Sequence, residues 1–73
     1  GWRGFLVLPE AEGVWAGLAE SWDSVPLGQG EALYREVPYQ GFVGVVQVEE
    51  GIMGVAGVED LDRLLGLLEA YLG

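Results

Sequence analysis

Between Gly51 and Asp62 the chain reads GIMGVAGVEDLD, placing Gly51, Gly54 and Gly57 at every third residue just ahead of the carboxylates Glu59, Asp60 and Asp62. Glycines before a helix can offer free backbone N–H groups to a phosphate at the positive end of the helix dipole. The spacing here matches neither the dinucleotide fingerprint nor the P-loop, and the Lys and Ser/Thr of a P-loop are missing. The carboxylates that follow would also repel a bound anion, and themselves complement the dipole by about 0.3–1 kcal/mol each. The glycines are therefore assigned to packing within a strand pair that leads into a capped helix.

Other chemistry is equally sparse. Cysteine and histidine are absent, which removes disulfides and the usual zinc and iron ligands. The stretches VEE and VEDLDR lack the stepped oxygen ligands of an EF-hand, so no metal and no cofactor is expected. Ser21 and Ser24 have no His or Lys base to activate them, and read as residues of a helix end and a turn. Catalysis would fall to Glu36 or another buried carboxylate with a raised pKa; the expectation is a protein that is not an enzyme. A ligand site, if present, is expected where Trp2, Tyr34, Arg35 and Tyr39 line a pocket against the 23–31 segment, with the Arg35 guanidinium selecting an anion. A cross-strand carboxylate partner for Arg35 is the competing assignment.

Seventy-three residues, 1–73, suffice for a single domain, and one so small buries only about 60% of the surface it exposes unfolded. Without disulfides or metal, association with another chain is the remaining source of stability. Three arginines face twelve carboxylates, a formal net charge of −9, which argues against nucleic acid and anionic membrane surfaces as partners. Solubility alone is the competing reading of the same carboxylates. No stretch is apolar enough to span a bilayer and no basic segment precedes an apolar one, so a cytoplasmic location is expected. The absence of Cys and Asn is also compatible with a thermophilic source.

The elements that would position these residues follow from periodicity. Trp2 to Pro9 reads as a buried strand stopped by proline. Ala11, Val14, Trp15, Leu18, Ala19 and Trp22 form a helical stripe over about Pro9 to Trp22, in which Gly13 and Gly17 cost about 1 kcal/mol each relative to alanine. Asp23 to Glu31 reads as a long connection, Ala32 to Val37 as a strand, and Pro38 to Gly41 as a turn. Two β-rich runs, FVGVVQV and IMGVAGV, flank a three-residue hairpin loop at Glu49 to Gly51. Leu61, Leu64, Leu65, Leu68, Tyr71 and Leu72 mark a second helix over about Val58 to Leu72. The order β-α-β-β-β-α predicts an α+β fold, a small antiparallel sheet with both helices mainly on one face. It is similar to ferredoxin-like and related split sandwiches lacking a last strand, with no residue motif tying it to any family.

With that hairpin loop, Val48 is expected opposite Ile52, Val46 opposite Gly54 and Gly44 opposite Ala56. Phe42, Gly44, Val46, Val48, Ile52, Gly54 and Ala56 then share one face, a shallow trough for the helix bearing Trp15 and Leu18. Val43, Val45, Met53 and Val55 fall on the other, and are expected to form the contact with a second copy or another protein. The alternative is that the helices split, one to each face. The functional expectation is an acidic, homo-oligomeric association module; the alternative is a small-molecule binding domain built on Trp2, Tyr34, Arg35 and Tyr39.

Overall fold

The computed structural model describes residues 2–7, 11–49 and 51–72. Its elements are β1 (Arg3–Val7), α1 (Ala11–Ser21), β2 (Asp23–Leu27), β3 (Gly30–Val37), β4 (Gly41–Val48), β5 (Gly51–Val58) and α2 (Leu61–Leu72). The fold is α+β, with a five-stranded, wholly antiparallel sheet in the order β1-β5-β4-β3-β2. Pro9 and Glu10, placed above at the strand stop and helix start, and Glu50 of the hairpin connection lie outside the described residues.

The segment read as a connection contains an additional strand. Asp23–Leu27 pairs with β3 from Asp23↔Tyr34 to Leu27↔Gly30. Pro26 masked it, because proline suits a strand only where its missing N–H faces away from the ladder, as on a sheet edge. The β3–β4 turn at residues 38–40 is as expected, closed by the Gln40 N–H donating to the Val37 carbonyl at 2.9 Å.

The register of the β4–β5 hairpin differs from the expectation by one residue. Val48 pairs with Gly51, Val46 with Met53 and Gly44 with Val55. Side chains alternate along a strand, so a one-residue slip exchanges the faces of a whole strand. Met53 and Val55 therefore join Phe42, Gly44, Val46 and Val48, while Ile52, Gly54 and Ala56 join Val43 and Val45. A bulge near Gly57, where φ is +81°, shifts the register between Val43↔Ala56 and Phe42↔Val58. The extra residue returns Val58 to the face of Val55.

The helices take opposite faces, which corrects the expectation of a shared one. On the α2 side Leu64 and Leu68 are buried against Leu27, Ala32, Val46, Val55 and Val58. On the α1 side Trp15, Leu18 and Trp22, half-buried, pack over Leu33, Val45 and Ile52. Val14 and Ala19, assigned to the inward stripe, are exposed, so α1 applies a narrower face than its apolar periodicity suggested.

Gly44 explains how α2 sits so close. A Cβ there would lie 2.8 Å from Leu68 Cδ1 and 2.9 Å from Leu64 Cδ2. The expected glycine and alanine trough survives only at Gly44, because Gly54 and Ala56 fall on the other face, and the helix seated over Gly44 is α2 rather than α1. At the start of α2, Asp60 Oδ1 accepts from the Asp62 N–H at 2.9 Å and the Asp60 carbonyl accepts from the Leu64 N–H at 3.0 Å, so Asp60 is the N-cap.

Gly17 and Gly66 are helical, with nothing within 4 Å of where a Cβ would stand. Gly17→Ala and Gly66→Ala are each expected to raise the unfolding free energy by about 0.5–1 kcal/mol. Gly44→Ala is expected to lower it by about 1–3 kcal/mol through overpacking. Urea unfolding followed by tryptophan fluorescence reads both signs, and a Gly44→Ala protein as stable as the parent would show that α2 does not depend on this close approach.

Candidate functional site

The residues proposed as a contact surface do not form one. Val43 and Val45 lie on the α1 side and Met53 and Val55 on the α2 side. Val45 is 2% exposed and Val55 is fully buried, both beneath the chain's own helices. The one-residue register difference is the cause, because it moved Met53 and Val55 across the sheet relative to β4.

The proposed ligand pocket is also dispersed. Tyr34 packs against the α2 cluster, whereas its neighbour Arg35 emerges on the opposite face, as alternation requires. Tyr39 stands at the tip of the β3–β4 turn, 107% exposed, with φ +65°. Trp2 lies at the far edge, lining an open recess of ≈ 370 Å³ with Val58, Asp60 and Arg63. The 23–31 segment, expected to cover the pocket, is built into the β2–β3 hairpin. The cross-strand neighbour of Arg35 on β4 is Val43, so the register gives it an apolar partner there rather than a carboxylate. Glu36 is exposed, without the burial that an acid–base role would need.

The glycine motif is occupied by packing as well. Gly54 sits mid-strand in β5 beneath the Phe5 ring, which would collide with any Cβ there. Among the described residues, no group of three or more Asp or Glu side chains is arranged to hold a metal ion, and no helix is long and apolar enough to cross a membrane.

The structure does gather one set of residues that periodicity had hidden. Among the described residues, β1 is an edge strand, bonded to β5 alone. Trp2, just before it, is 43% exposed, and Phe5 and Leu6 within it are 38% and 45% exposed. Phe5 is on the α1 side over Gly54, and Leu6 pairs with Met53 on the α2 side. Apolar side chains thus rise on both flanks of an unpaired backbone edge. The signal in the sequence was WRGFLV itself, an apolar run long enough for a strand, but nothing local could say that the strand would be outermost.

No family model matches the chain, and no curated protein or solved structure matches it at a significant level.

Tyr39 offers a direct check on the dispersed pocket. A non-glycine residue in the left-handed region costs about 1–2 kcal/mol, and this one has no burial to offset it. Tyr39→Gly is expected to raise the melting temperature, by about 0.5–1 kcal/mol of stability after the glycine's unfolded-state entropy is subtracted. A destabilised Tyr39→Gly protein would show that the ring makes contacts absent from this structure.

Proposed function

We propose that the protein is a small, acidic, non-catalytic association module that pairs with a second copy of itself through β1. The observation that carries this reading is the unpaired β1 edge flanked by exposed Trp2, Phe5 and Leu6. An exposed strand edge is a template for another strand, and native chains ordinarily blunt it with proline, charge or a cover. The opposite edge follows that rule, since β2 carries Pro26 and begins at Asp23. β1 has only Arg3 as a charge and no proline.

A second copy suits this edge because antiparallel pairing about a two-fold axis is self-complementary. With the axis at Phe5, the middle residue of β1, Gly4 of each copy lies opposite Leu6 of the other, a small residue beside a large one. The two Phe5 rings meet on the α1 side. Ten strands would then form one continuous sheet. The apolar surface removed from water contributes at about 25 cal/mol per Å², which offsets part of what a chain without disulfides or metal lacks. An edge this short makes a small interface, so the affinity is expected to be micromolar rather than nanomolar.

The reading keeps the association role expected from composition and moves it from a sheet face to a sheet edge. A cytoplasmic setting belongs to the same reading, supported by a chain that contains no cysteine and needs no oxidising compartment.

Sedimentation equilibrium from about 1 to 500 μM tests it, that range bracketing a micromolar dissociation constant. The expected outcome is a reversible monomer–dimer equilibrium, weakened about tenfold or more in Leu6→Lys, which sets a charge on the apolar flank of the edge. A monomer across the whole range removes the proposal. Strand pairing with a different protein in place of self would show the edge in use with another occupant, and would overturn the choice of a second copy.

A further inference from the structure

We propose that the corner of the α1-side sheet face between Arg3 and Arg35 binds a small dicarboxylate. The register places four residues in one cross-strand row, since Arg3 pairs with Ala56, Ala56 with Val43 and Val43 with Arg35. All four side chains rise on the α1 side. Three inter-strand steps of about 4.8 Å separate the Arg3 and Arg35 Cα atoms by roughly 14 Å. An arginine side chain is long enough to carry its guanidinium about 6 Å from its Cα, so inward rotamers of Arg3 and Arg35 would bring the two heads together over Val43 and Ala56.

The corner is open because α1 is too short to cover the face. Its eleven residues span about 16 Å, and its inward side chains Trp15, Leu18 and Trp22 rest on Leu33, Val45 and Ile52. The Arg3–Arg35 row lies beyond that contact. A recess of ≈ 200 Å³ remains there, lined by Arg3, Val43, Ala56 and Gly57 among others. Arg35, exposed, borders Val43 on the other side.

Charge is also sorted between the two faces at this end of the sheet. The strand carboxylates nearest the row, Asp23 and Glu36, stand two residues from Val25 and Tyr34 and so share with them the α2 side. Two of the three arginines in a chain of net charge −9 thus share one face with no strand carboxylate beside them. The guanidinium fork matches a carboxylate in two-point geometry. An apolar floor between two such forks suits a short hydrocarbon chain with an acid at each end. Phosphate fits less well, because it is too compact to bridge both forks and the floor of Val43 and Ala56 offers it no side-chain donor, although Gln40 at the rim of the recess carries one. The site lies within one chain and does not depend on the β1 pairing proposed above.

The experiment is an NMR titration of ¹⁵N-labelled protein with glutarate at fixed ionic strength, with acetate, inorganic phosphate and sodium chloride as separate arms. The Arg3 and Arg35 Nε–H signals and the Ala56 and Gly57 amides are expected to move together and saturate. Glutarate should bind about tenfold or more tightly than acetate, and Arg3→Ala and Arg35→Ala should each weaken it to a similar degree. Arg35→Lys, which keeps the charge and loses the fork, should fall between Arg35→Ala and the parent, and Arg63→Ala, on the α2 side, should leave binding unchanged. Glutarate shifts no larger than those of acetate or chloride would overturn the proposal. So would undiminished binding in Arg35→Ala, while equal affinity for phosphate would overturn the dicarboxylate assignment by showing a site that reads charge alone.

Discussion

The pairing of Val48 with Gly51 decides what every apolar side chain of the central hairpin does. It puts Val46, Met53 and Val55 on the side of Leu64 and Leu68, and Val45 and Ile52 on the side of Trp15 and Leu18. Because both faces of β4 and β5 are apolar, alternation of polarity cannot choose between this register and its one-residue neighbour. The choice rests instead on size. Gly44 must lie under α2, where Leu64 and Leu68 leave no room for a Cβ, and Gly54 must lie under Phe5 on the other side. In the alternative register Gly44 and Gly54 would share a face, leaving the helix seat too deep on one side and the Phe5 seat filled on the other. The bulge at Gly57 then adjusts the end of β5, so that Val58 joins the α2 core rather than facing α1.

The two layers built on that sheet are unequal. α2 presents four- and three-residue steps of leucine, is capped by Asp60, and buries Leu64 and Leu68 completely. α1 has Gly13 and Gly17 in its span and touches the sheet through half-buried Trp15, Leu18 and Trp22. Propensity and packing both favour α2, so local opening is expected to begin at α1. The topology reinforces this, because the connection that carries α1 joins the two outermost strands, β1 and β2, and only eleven of its residues are helix to lie over the sheet between them. Corners of its face are left open as a geometric consequence.

Elements governed by local chemistry were legible in the sequence. The leucine stripe of α2, its acidic start and the turn at residues 38–40 all depend on residues close together in the chain. The strand β2 was not legible, because Pro26 reads as a breaker unless the segment is known to be an edge, and edges are a property of the finished sheet. The split of the helices was equally hidden. Two apolar stripes and a sheet greasy on both sides are compatible with one helix per face or with two on one face. The site residues failed for the same reason: Tyr34 and Arg35 are adjacent in sequence and lie on opposite sides of the sheet.

The contrast between the two edges bears on how far association can run. A sheet with two receptive edges would add copies without limit, since each newly docked chain would offer a fresh edge to the next. Here β2 ends the series: Pro26 lacks the N–H that a further strand would need, and Asp23 sets a charge at the start of the strand. If copies pair through β1 as proposed, each would use the receptive edge that the described residues leave open, and the assembly would close at two. The excess of carboxylates works in the same direction, because a chain of net charge −9 repels its own kind everywhere except where enough apolar surface is removed from water to overcome that repulsion. On the described surface, the flanks of β1 are where large exposed apolar side chains and an open backbone edge coincide. Charge and edge chemistry therefore support the proposed pairing from different directions, one by penalising unspecific contact and the other by leaving β1, among the described edge strands, without proline or a blunting carboxylate.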